Sequence, residues 1–235
     1  MGKRGPKPKR REVVWSPEFA YAVGLIASDG CLSNDGRHLL FVSKDLEQIK
    51  NFKKSLGLKV VIGIHHAGVR MKNRTYHRVQ WGDVFLYNFL LGIGLMPNKS
   101  RILGELAIPD VFFFDFLRGS FDGDGSFYSY FDPRWKSSFM YYLNFTSASP
   151  LHIRWLQETI YRLLGVKGHV SKSGGIGKKR NPIDTLRYAK KESLTIIAAM
   201  YSTDCPIHLS RKRLKIERAL RIVGESLLST KKLAK

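Results

Sequence analysis

Asp29 and Asp124 lie 95 positions apart, each followed by glycine and each closing a run that reads as a helix. The first run, Phe19 to Ser28, is almost wholly apolar; the second, Val111 to Gly123, is rich in aromatic residues. Both carry small residues four apart on one face, Gly24 with Ser28 and Gly119 with Gly123. That spacing lets two helix backbones approach closely. Packed on that face, the helices bring Asp29 and Asp124 together at their C-terminal ends. A carboxylate there is opposed by the helix dipole, by about 0.3–1 kcal/mol at an exposed end, and by its like-charged neighbour. An arrangement kept twice at that cost points to a cation held between the acids. A calcium loop starting at Asp122 is excluded, because its sixth position would be Phe127 and its twelfth Pro133. His65, His66 and His77 read as polar hairpin residues, and His152 and His208 as structural. Trp155, Leu156, Ile160 and Leu163 form an ordinary core stripe.

The elements that must position the two acids come in two rounds. Ser16-Pro17-Glu18 supplies an N-cap, a proline at the first helical position and an acid in the first turn. After the apolar helix and Asp29-Gly30, whose glycine reads as a left-handed cap, Cys31–Ser33 and Arg37–Ser43 form a hairpin. Leu46–Leu56 is an amphipathic helix closed by Gly57; Val60–His65 and Thr75–Trp81 form a second hairpin, and Val84–Leu91 a further helix. The order then repeats. Val111–Gly123 is followed by a hairpin of Ser126–Phe131 with Phe139–Thr146, a helix Leu151–Leu164 closed by Gly165, a hairpin of Gly168–Lys172 with Ile183–Ala189, and helices at Ser193–Tyr201 and about Leu214–Leu228. The spacing predicts an α+β chain of two pseudo-symmetric αββαββα repeats, with antiparallel sheets packed by helices. Residues 12–108 form the first repeat and 109–235 the second. Residues 1–11, with six basic residues and no acid, form a flexible basic arm suited to a minor groove or to a solvated tail.

Composition bounds the partners. The chain has 235 residues, 40 Lys+Arg against 19 Asp+Glu, and a formal charge of +21. Such an excess points to a polyanion, with nucleic acid ahead of an anionic membrane surface, since no long basic amphipathic helix is evident. No apolar run is long enough to span a bilayer, and the basic N-terminus lacks the apolar segment of a secretory signal. Two cysteines, without zinc-binding spacing, fit a reducing, intracellular compartment.

Ala22-Val23-Gly24-Leu25-Ile26-Ala27-Ser28-Asp29-Gly30 and Leu117-Arg118-Gly119-Ser120-Phe121-Asp122-Gly123-Asp124-Gly125 resemble the paired motifs of LAGLIDADG homing endonucleases of the single-chain, two-motif type. The resemblance extends over most of residues 14–225 and takes in Pro97-Asn98-Lys99-Ser100 and Leu209-Ser210-Arg211-Lys212. It implies motif helices at a central interface, two saddle-shaped sheets in the major groove, and a monomer that makes a double-strand break in a long DNA target. It implies Mg2+, with Mn2+ or Ca2+ able to occupy the same sites, bound by Asp29 and Asp124 with the backbone of Ser28 and Gly123. It further implies Lys99 and Lys212 near the scissile phosphate, and Lys44 and Ser147 as water-positioning residues. Ala27 stands where the first motif usually has an acid, and Lys44 where a neutral glutamine is common. The DNA contacts expected on the hairpins are Arg37, Arg70, Lys72, Arg74, Arg78, Arg134, Lys136, Lys178, Lys179, Arg180 and Arg187. With Met1 and no splice-junction residue, the reading is a free-standing, intron-encoded protein. An intron maturase binding RNA and a non-cleaving DNA-binding regulator are the rival functions on the same scaffold.

Overall fold

The computed structural model describes residues 12–66, 75–135, 137–173, 182–201 and 207–227. The buried apolar run becomes α1 (Pro17–Ser28). Ser16 caps it by accepting from the Phe19 N–H at 3.1 Å, and every side chain from Phe19 to Ala27 is buried. Its counterpart, α4 (Phe113–Gly123), is shorter than expected at its start, where Asp110–Phe112 forms a 3-10 turn. The other elements are β1 (Gly30–Leu32), β2 (His38–Ser43), α2 (Leu46–Ser55), β3 (Gly63–His66), β4 (Thr75–Gly82) and α3 (Val84–Gly92) in the first half. The second half adds β5 (Ser126–Phe131), β6 (Phe139–Ser147), α5 (Pro150–Leu164), β7 (His169–Ser173), β8 (Ile183–Ala189), α6 (Lys190–Met200) and α7 (Ser210–Ile222). The fold is therefore α+β with the expected repeat. Residues 60–62 remain outside β3, and α7 begins four residues before the expected Leu214, which places Lys212 in its first turn.

The strands form two four-stranded antiparallel sheets, ordered β1-β2-β4-β3 and β5-β6-β8-β7. In each, the two hairpins join through their second strands, with Phe41 opposite Val79 and Phe145 opposite Leu186. These four residues are buried and face the helices. Alternation along the strands turns their neighbours outward, so Arg78 and Gln80 are exposed on either side of Val79.

The two halves meet where α1 crosses α4. A β-carbon added to Gly24 would lie 2.1 Å from the Phe116 carbonyl oxygen, and one on Gly119 would lie 2.0 Å from that of Tyr21. The crossing therefore requires glycine on both helices. At the far end of the pair, the Trp15 ring stacks on Phe112 at 6.3 Å and meets Phe89 edge-on at 5.7 Å. Among the described residues no helix is long and apolar enough to cross a membrane.

Candidate functional site

The crossing carries the C-termini of α1 and α4 to the same place. Asp29 and Asp124 are the C-cap residues, their N–H groups bonded to Leu25 and Ser120 carbonyls at 2.9 and 3.1 Å. Asp29 Oδ2 lies 3.0 Å from the position a β-carbon would take on Gly123, and Ser28 Oγ closer still. The glycine before the second acid is thus what admits the first. The following glycines have a different role from the expected one: neither Gly30 nor Gly125 has a positive φ. Instead, β-carbons there would lie 2.7 Å from Ile26 Cα and 2.6 Å from Phe121 Cα. Each strand leaves its helix so tightly that only a bare Cα fits.

Both carboxylates open to solvent, yet the surrounding protein removes much of their water. That desolvation and the repulsion from Asp124 push the Asp29 carboxyl up to about 6, against the pull of Lys212, Lys99 and a Gln48 hydrogen bond. Asp124 is raised by the same loss of water, countered by the two lysines. The site is a pair of carboxylates that protein charges alone do not fully compensate.

The lysines are held at the helix ends. Lys99, on a 3-10 turn after the left-handed Asn98, is buried and donates its ammonium to the Gly30 carbonyl. Lys212 donates to the carbonyls of Phe121 (2.5 Å), Gly123 (2.9 Å) and Gly125 (2.7 Å). The carbonyls of Phe121 and Gly123 are open acceptors in the last turn of α4, and Gly125 follows its C-cap, so Lys212 is a side-chain cap as well as a charge beside the acids. Burial holds both ammonium groups below the usual lysine range, Lys212 at about 8. The Gly123 carbonyl, expected among the cation's ligands, already accepts from Lys212.

A cavity of about 220 Å3 opens beside this cluster, lined by Ser28, Lys99, Asp124, Thr146 and Ser147 among others. Ser147 is therefore at the site. Lys44 is not among the groups acting on either acid. Ser43 is buried, and alternation turns the next side chain, Lys44, out to solvent. The residue of that segment that reaches Asp29 is Gln48, on α2. Its Nε2 donates to the Asp122 carbonyl at 2.9 Å, and its Oε1 accepts from Ser43 Oγ at 2.5 Å. Counted from the N-caps Asp45 and Ser149, its counterpart in the other half is His152. That ring is buried against the Gly104 carbonyl at 3.0 Å and kept neutral, its pKa held down to about 4 by burial. Asp122 also lies away from the acid pair. It is fully buried and accepts from Tyr21 Oη and the Leu209 N–H, both at 2.8 Å.

Of the expected DNA contacts, Arg37 is exposed in the turn before β2 and Arg78 is exposed on β4, while Arg187 is half-buried on β8. Arg134 is exposed but ion-paired to Asp132 at 2.9 Å. Arg70, Lys72, Arg74, Lys136, Lys178, Lys179, Arg180 and the arm lie outside the described residues. Among the described residues no third His, Cys, Asp or Glu joins the acid pair. The donor set suits an ion such as Mg2+, which takes one or two carboxylates and draws its other oxygens from water and phosphate.

No family model and no curated protein matches the chain. Solved structures do. The homing endonuclease I-WcaI, bound to its DNA recognition sequence, superposes with a TM-score of 0.59 at 14% identity, over 91% of this chain and 95% of that one. The LAGLIDADG meganuclease I-AabMI, bound to uncleaved DNA, gives 0.53 at 16% identity, over 93% and 96%. Full-length DUF199/WhiA from Thermatoga maritima gives 0.50 at 15% identity over 91% of this chain. The chain spans 62% of the length of that protein. The architecture is the LAGLIDADG fold.

Proposed function

We propose that this LAGLIDADG-fold chain is a monomeric, metal-dependent, site-specific DNA endonuclease that cuts both strands of a long duplex. The observation that carries the reading is the Asp29–Asp124 pair. Two partly desolvated carboxylates are brought together by a helix crossing that tolerates no side chain, with a lysine fixed beside each. A packing role alone would favour neutral residues at both positions, because like charges at helix C-termini weaken the fold. Mg2+ bound there, or Mn2+ or Ca2+ in its place, would supply Lewis-acid stabilisation of the attacking and leaving oxygens.

The protein's own groups then have distinct tasks. Asp29 and Asp124 bind the cation, with the Ser28 carbonyl as a further oxygen. Lys99 and Lys212 place positive charge beside the phosphate as negative charge develops on it. Gln48 orients the Asp29 carboxylate, and Ser147 and Thr146 line the cavity on the Asp124 side. Each repeat, 12–108 and 109–235, serves one strand, so one chain provides both halves of the site. Arg78 and Arg187 point from the sheets toward the DNA, Arg37 extends the first sheet's charge at its β1–β2 turn, and the arm adds more.

Asp29→Asn and Asp124→Asn are each expected to abolish double-strand cleavage of a selected target while leaving specific binding within a few-fold of wild type. Undiminished cleavage by either variant overturns the assignment. Specific duplex binding without any cleavage by the wild-type chain would establish the regulator reading instead. Splicing assistance that survives loss of both acids would establish the maturase.

A further inference from the structure

We infer that Arg187 is a preorganised guanine reader, contacting a G·C pair beside the cleavage centre in the half of the target bound by the second sheet. The inference rests on the DNA-cleaving reading above and assigns part of its specificity.

Register places Ser126, Asn144, Arg187 and His169 in one row across all four strands of the second sheet. The row starts two residues after Asp124 and lies two strand positions from Thr146, whose hydroxyl donates to the Asp124 carbonyl at 2.9 Å, so it is close to the acid pair. Within it Arg187 is locked. Asn144 is 3% exposed and has both ends of its amide engaged: Nδ2 donates to Ser126 Oγ at 3.2 Å, and Oδ1 accepts from Arg187 Nε at 3.1 Å. The guanidinium lies over the rings of Tyr128 and Tyr142, with centroids at 5.8 and 5.6 Å, and these rings stack on each other at 5.0 Å.

Three consequences follow from that geometry. The Nε edge is used internally, while Nη1 and Nη2 make no hydrogen bond among the described residues, which leaves the terminal fork open. Arg187 forms no ion pair among the described residues, unlike Arg134 and Arg211. Its neighbours in the row are a serine and an asparagine on one side and a histidine on the other. A phosphate clamp needs only charge and works from a mobile side chain. A fixed fork on an inner strand matches the paired O6 and N7 acceptors of guanine, and prior immobilisation lowers the entropy lost on contact.

The first sheet supplies an internal comparison. Its equivalent row, two residues after Asp29, is Cys31, Leu40 and Gln80. No arginine occupies it, so the preference for guanine belongs to one half-site and the target is not palindromic at this pair.

The test is selection of the full-length protein on a randomised duplex library with metal chelated, so that binding is read without cutting. The wild-type preferred sequence should carry a guanine beside its centre on one side only. Arg187→Lys, which keeps the charge, should reduce the preference for that guanine on the order of 5- to 100-fold and leave every other position unchanged. Arg187→Gln should do the same and move the preference toward adenine. A wild-type sequence with no guanine there overturns the inference, as does a variant that weakens binding to all sequences equally. Selection of no sequence at all by the wild type would overturn the endonuclease reading itself, a result distinct from a motif that lacks the guanine.

Discussion

At the scale of single residues, the site is organised by charges that the fold holds against their preference. The folded Asp29 carboxyl has its pKa near 6, above the ordinary aspartate value of 3.8. Ionising it therefore destabilises the metal-free protein: the loss begins as pH rises past about 4 and is complete above about 6. A shift of that size corresponds to roughly 3 kcal/mol, reduced to about 1–2 kcal/mol because the carboxylate opens to solvent. Asp29→Asn should therefore raise the melting temperature in chelator at pH 8, and the gain should vanish near pH 4. Excess Mg2+ should narrow the difference by stabilising the wild type more than the variant. An unchanged melting temperature at pH 8 would show that the pair is already compensated. Lys212 is also held charged against its burial, but its removal leaves three carbonyls without their donor. Lys212→Met removes the donor from three carbonyls and is expected to cost about 3 kcal/mol in urea unfolding, against about 1–2 kcal/mol for Lys99→Met, which releases one. Equal costs would mean that Lys212 is not the cap of α4.

At the scale of elements, the crossing of α1 and α4 is the feature on which the acid pair depends. Gly24→Ala and Gly119→Ala each direct a methyl group into backbone of the other helix, where no rotamer change relieves it. Each should cost about 3 kcal/mol or more by denaturant midpoint, at the upper end of overpacking. Gly92→Ala, where a β-carbon meets open space, should be neutral or slightly stabilising. A tolerated Gly24→Ala would contradict the close approach. The crossing was legible in the sequence because it is a local pattern, small residues four apart, written twice. What escaped was what depends on tertiary placement. Hairpin signals identify the hairpins of each half, but the β2–β4 and β6–β8 pairings that join them into sheets have no local marker. Gln48 was hidden for a different reason: three residues after the N-cap Asp45, it has the position of a capping-box residue. Only the fold shows its amide engaged with Asp122, Ser43 and Asp29. Lys44, the residue after β2 ends at Ser43, is suggested only by the resemblance, and its side chain is exposed.

At the scale of the whole molecule, +21 is distributed so that affinity and selectivity can be separated by experiment. Six of the positive charges belong to residues 1–11, which contain no acid. The proposed base reader lies elsewhere, on a strand, fixed by neutral neighbours. Contacts to phosphate release counterions and make log K fall with log salt by about 0.9 for each phosphate neutralised; base contacts leave that slope nearly untouched. Removing residues 2–11 takes away all six charges and should flatten the salt dependence by up to about 5 in slope. It should also weaken binding most at low salt and leave the preferred sequence as it was. Arg187→Gln, although it removes a charge, should do the reverse, keeping the slope and losing one base preference. The measurement is a salt titration of duplex affinity for both proteins, run beside the same library selection. If removing the arm altered the preferred sequence, the arm would be a groove reader rather than a source of charge. If Arg187→Gln lowered the slope by about 1, Arg187 would be holding phosphate.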